Sequence, residues 1–131
     1  MKRILVILLG LIFVTGAAVA DDVDVIVNCV TTEIPAEGGD LTFDVTLQNN
    51  LGYSHAGEIW LMVEGQGCTS GPYCLQCFWL NPSGNVFTDC VVPMPAYLLP
   101  GEFMLHVYVG GYYLNYIAGM GTDTFTKLPA Q

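Results

Sequence analysis

Between Leu41 and Gln48 the residues alternate without a fault: Leu41, Phe43, Val45 and Leu47 are apolar, while Thr42, Asp44, Thr46 and Gln48 are polar. A period of two sends successive side chains to opposite faces of an extended chain, so this stretch is a strand with one buried face. The same alternation returns at Val23, Val25, Val27 and Cys29, at Ile59, Leu61 and Val63, and at Phe103, Leu105, Val107 and Val109. Residues 87–92, 112–117 and 122–128 complete a set of about seven short strands. Turn formers punctuate them at Gly38-Gly39, Asn49-Asn50, Gly65-Gln66-Gly67, residues 93–101 and Gly110-Gly111. The spacing predicts one all-β domain over residues 21–131, an antiparallel β-sandwich.

Residues 1–20 are of another kind. Lys2 and Arg3 precede an apolar run from Ile4 to Val14, and Ala18-Val19-Ala20 supplies a small-x-small cleavage site. This is the order of a secretory signal peptide, with an apolar core too short for a membrane span. Its removal takes Lys2 and Arg3 with it, moving the net charge from −9 to −11 and leaving Lys127 as the only basic side chain. Such a chain repels phosphates, which excludes nucleic acid and anionic lipid as partners, and residues 21–131 contain no second long apolar run, so no membrane insertion is expected after cleavage. The expected location is secreted, extracellular or periplasmic.

An oxidising location bears on the five cysteines. Cys68, Cys74 and Cys77 fall within ten residues, and Cys90 follows. Zinc calls for two closely spaced ligand pairs, and only Cys74-Leu75-Gln76-Cys77 has that spacing. A redox Cys-x-x-Cys opens a helix, and nothing helical follows here. Disulfides are the expectation. Pro82-Ser83-Gly84-Asn85 reads as a hairpin turn that sets Cys77 opposite Cys90, and Cys68 with Cys74 closes a small loop. Cys29 is then the odd thiol; other connectivities stay open.

The run from Ile34 to Asn50, with Ile59-Trp60-Leu61-Met62, Leu80-Asn81-Pro82-Ser83-Gly84, Pro100-Gly101-Glu102-Phe103 and Phe125-Thr126-Lys127-Leu128, resembles an Ig-like module of secreted and cell-surface bacterial proteins. That resemblance covers nearly all of residues 21–131. It implies an Ig-like sandwich without an active site, used as an accessory domain of large surface proteins. The Cys68-to-Cys90 cluster departs from the pattern.

Function is expected on one sheet face. If Ile59, Leu61 and Val63 point inward, Trp60 and Met62 point outward; the same argument turns Met104, His106 and Tyr108 outward. On neighbouring strands these five would form an exposed apolar contact band. The competing reading sends Trp60 into the core, as in antibody domains. The two histidines, His55 and His106, lack a nucleophile motif and a tight spacing to methionine, so neither catalysis nor copper is expected, and no cofactor. Two binding roles follow. One is a non-enzymatic structural or adhesive module whose partner is protein, self or other, assembling in one version by strand addition of residues 21–30. The other is glycan binding on Tyr53, Trp60, Tyr108, Tyr112, Tyr113 and Tyr116.

Overall fold

The computed structural model describes residues 21–131; the expected signal peptide lies outside the described residues. Eight strands follow in order: β1 (Val23–Cys29), β2 (Glu33–Ile34), β3 (Gly39–Asn49), β4 (His55–Gly65), β5 (Cys68–Leu80), β6 (Asn85–Met94), β7 (Gly101–Gly111) and β8 (Tyr116–Lys127). They form a three-stranded sheet, β1-β3-β6, and a five-stranded sheet, β2-β8-β7-β4-β5. Neighbours are antiparallel except β2, which runs parallel to β8. This division of strands is that of an Ig-type sandwich, the second, third and fifth long strands alternating between sheets in Greek-key fashion.

The core lies between the sheets and is built from the alternation. Leu41, Phe43, Val45 and Leu47 of β3 face Ile59, Leu61 and Val63 of β4 and Phe103, Leu105, Val107 and Val109 of β7, all buried. Phe103 stacks on Phe125 of β8, centroids 5.6 Å apart. β1 pairs in cis with β3 along its whole length and lies over the inner face of β8. Gly119 and Gly121 permit that approach, since a Cβ at either would run into the carbonyl oxygens of Val23 and Val25. Lys127 is only 2 % exposed, and its Nζ donates to Ala36 O (2.9 Å) and Ala96 O (3.3 Å). The ammonium thus ties two loops to the last strand.

Four expectations need correction. There are eight strands, not seven, because β2 and the long β5 join the set while residues 112–117 and 122–128 are not separate strands. Residues 112–115 turn, closed by Asn115 N–H donating to Tyr112 O, and β8 runs unbroken through Gly119 and Gly121. The turn at residues 81–84 is tight, with Gly84 N–H donating to Asn81 O at 2.9 Å, yet it carries the chain from one sheet to the other. β5 and β6 therefore form no hairpin. Finally, all five thiols are unpaired, so no disulfide staples this structure.

The geometry also shows why the two expected pairs do not meet. Cys77 sits opposite Glu58 of β4, and Cys90 sits opposite Phe43 of β3 in the other sheet. Cys68 is opposite Gly65, whereas Tyr73, just before Cys74, is opposite Leu61. Four residues of strand span about 13 Å, well beyond the ~7 Å that a disulfide bridges between Cα atoms.

Candidate contact surface

The outer face of the five-stranded sheet is organised in cross-strand rows. Trp60 is opposite Tyr108, which is opposite Met120; Met62 is opposite His106, then Thr122; Glu64 is opposite Met104, then Thr124. The structure thus brings Trp60, Met62, Met104, His106 and Tyr108 onto one contiguous face, opposite to the core-facing residues of the same strands.

Trp60 differs from expectation in one respect. It lies on the outer face and outside the core, yet it is 6 % exposed. Tyr108 stacks on it with centroids 5.5 Å apart and planes within 10°, and Tyr112 meets it edge-on at 5.4 Å. Tyr112 is held by its N–H donating to Glu58 Oε1 at 3.0 Å, and Tyr113 packs edge-on against Tyr112 at 5.1 Å. Trp60 is therefore the floor of a small aromatic cluster that grows out of the sheet. Neither reading of the alternation anticipates a second layer on the solvent side.

The top of that cluster is more apolar than the five expected residues. Tyr113 and Leu114, at the tip of the β7–β8 turn, are 81 % and 83 % exposed, Tyr116 and Ile117 are exposed beside them, and Met120 is exposed farther along β8. A groove of about 230 Å³ runs between Trp60, Tyr108, Tyr112, Asn115, Tyr116 and Ile117. Alternation on β4 and β7 does not reach Leu114, Ile117 or Met120. The available signal was the turn itself, because Tyr112-Tyr113-Leu114 puts three large apolar side chains where polar residues ordinarily sit.

Three carboxylates around the patch have partners within it, while Glu102 stays exposed at the far end of the same face. Glu58 accepts from Tyr112 N–H, Glu64 Oε1 lies 2.9 Å from His106 Nε2, and Asp22 Oδ2 accepts from the Tyr116 hydroxyl at 2.8 Å. That last bond, with a little burial and the Asp22 charge behind it, pushes the Tyr116 phenol up. His106 Nδ1 lies 2.8 Å from Thr122 Oγ1. Glu64, His106 and Thr122 thus stand in the order acid, base, hydroxyl that an activated nucleophile requires. Thr122, however, is exposed on an open sheet face, and the row is a cross-strand ladder rather than the wall of a cleft.

The other expected residues fall elsewhere. Tyr53 stands exposed in the β3–β4 loop, 5.8 Å from the His55 ring. Cys68, Cys74 and Cys77 are exposed on β5, Cys90 is half-buried, and Cys29 is buried beside Asp123, whose Oδ2 accepts its N–H at 2.7 Å. Burial, assisted by the Asp123 charge, pushes the Cys29 thiol up to about 11. Among the described residues no group of three His, Cys, Asp or Glu side chains is placed to hold a metal ion, and no helix is long and apolar enough to cross a membrane.

No protein-family model matches the chain, and no curated protein matches it. Among solved structures, the apo form of the Calx CBD1 domain superposes with a TM-score of 0.44 at 7 % identity, covering 85 % of this chain and 100 % of that one. At that level the superposition assigns neither family nor function.

Proposed function

We propose that this chain is a non-enzymatic structural or adhesive module, exported from a bacterial cell after loss of residues 1–20, that assembles through the outer face of its five-stranded sheet against a second copy of itself. The observation that carries this reading is the exposed apolar surface of Tyr113, Leu114, Tyr116, Ile117 and Met120 at the turn end of the face, around the Trp60–Tyr108 stack. Contiguous apolar surface of this kind marks a contact site on a soluble domain. Self-contact has to contend with a charge of −11 over residues 21–131. Burial at the turn end of the face has to offset that repulsion; there Glu58 and Asp22 keep their charge but aim their carboxylates at Tyr112 N–H and the Tyr116 hydroxyl. β1 is engaged in cis with β3, which favours face-to-face contact over strand donation by residues 21–30.

The test is the double variant Tyr113→Ala/Leu114→Ala. Both side chains stand clear of the core, so thermal stability should stay within about 1 kcal/mol while association is lost. Unchanged association in that variant would remove the face from consideration.

A second reading is supported by the groove. Its aromatic walls and the Asn115 amide suit a sugar ring, with Tyr112 and Tyr116 as platforms. Retention on insoluble glycans that is abolished by Tyr116→Ala, with no change in oligomeric state, would favour it. Trp60 would not be the stacking platform, since Tyr108 already covers it.

A further inference from the structure

β5 ends one sheet and β6 ends the other, so the two edge strands face each other across the open side of the sandwich. Each carries a bulge at the same level. Between the pairs Ile59–Gln76 and Leu61–Tyr73, β5 has one residue more than β4, and Cys74 there adopts a φ of 52°. Between Phe43–Cys90 and Val45–Phe87, β6 has one residue more than β3. Asp89 takes a φ of 55°, and its N–H donates to Asp44 Oδ1 at 3.0 Å, which clips the bulge in place. A bulge bends its strand and re-aims the side chains beside it. Here both bulges turn a thiol inward: Cys74 and Cys90 line one cavity of about 250 Å³, with Phe43, Ile59, Leu61 and Phe87 as its inner wall.

We propose that Cys74 and Cys90 are a disulfide-forming pair that links the two sheets, oxidised by exchange with a disulfide of the surroundings. None of the other three thiols competes for Cys90. Cys77 is opposite Glu58, on the outer face, and Cys68 lies at the far end of β5. Cys29 and Cys90 flank Phe43 on either side, two strand spacings or about 10 Å apart, too far to bridge.

The chemistry divides between the two. Cys74 is exposed. Burial first, then the charges of Asp44, Cys74 and Asp89, push the Cys90 thiol up, so Cys74 is the first nucleophile. Its thiolate attacks one sulfur of the oxidant disulfide, whose other sulfur leaves and takes up a proton. Cys90 then loses its proton and attacks Cys74 Sγ, expelling the second oxidant sulfur as a thiol. Two protein thiols have lost two electrons to make one S–S bond, and the oxidant's S–S bond has become two thiols.

The experiment is to incubate the folded full chain with oxidised glutathione, alkylate the remaining thiols and map peptides without reduction. The expected result is a peptide pair joined through Cys74 and Cys90 in the wild type and unchanged in Cys77→Ser. The Cys90→Ser variant should instead retain one glutathione on Cys74, the trapped intermediate. Cys90 joined to Cys68 or Cys77, alkylation of both Cys74 and Cys90 in the wild type, or loss of the link in Cys77→Ser would each overturn the proposal. These readouts hold whether or not copies of the chain associate, because the cavity lies between the sheets and the aromatic face lies outside them.

Discussion

Trp60 shows how a residue can obey its strand's alternation and still be buried. Its position on β4 turns it away from Leu61 and Val63, but Tyr108 and Tyr112 close over it. Trp60→Ala would therefore open a cavity beneath two tyrosines, and the expected cost is about 3 kcal/mol, read as a shift in the urea midpoint. A loss below 1 kcal/mol would mean that the cluster does not form. Cys29 offers a second test. A thiol with its folded-state value raised is favoured in its neutral form, so the stability it contributes is intact below pH 9 and drains away as pH rises through about 11. In the folded protein Cys29 should resist alkylation at pH 8 while Cys68 and Cys77 react, as counted by intact mass.

At the scale of strands, the close crossing of β1 over β8 depends on two missing side chains. Gly121→Ala places a methyl group against the Val25 carbonyl and should destabilise the fold by about 2 kcal/mol in denaturant titration. A neutral result would show that β1 sits farther from β8. The same glycines explain a misread element. Gly119 and Gly121 look like punctuation, yet they lie inside β8 because backbone, not side chain, fills the space above them. The alternation of β3, β4 and β7 was fully legible, since each has one face on the core. β5 was not. It is an edge strand with two register shifts, so its pattern is broken and only its Cys77–Leu80 end, read as half of a hairpin, showed as strand. The direction taken after the turn at residues 81–84 was equally hidden, because a tight turn suits a hairpin and a sheet-to-sheet corner alike.

For the whole molecule, two surfaces of opposite character coexist. Twelve acids and one lysine make residues 21–131 strongly anionic, while the turn end of one sheet face is apolar, with Glu58 and Asp22 beside it hydrogen-bonded to Tyr112 and Tyr116. Sequence marked the face through Trp60, Met62, Met104, His106 and Tyr108. It offered Tyr112, Tyr113 and Tyr116 only as sugar platforms, on a stretch expected to be a strand, and did not join Leu114, Ile117 and Met120 to the face, because a turn has no period to read. Charge and apolar area act over different ranges, and this separates them experimentally. Salt screens the repulsion between copies, with a Debye length of ~30 Å at 0.01 M falling to ~8 Å at 0.15 M, and leaves short-range burial intact. Sedimentation equilibrium of the chain under reducing conditions, at those two ionic strengths, is the most direct measurement. Self-contact through the apolar face predicts a monomer at low salt and concentration-dependent association at high salt, abolished by Tyr113→Ala/Leu114→Ala. A monomer at both salt concentrations, or association that weakens as salt rises, would contradict it.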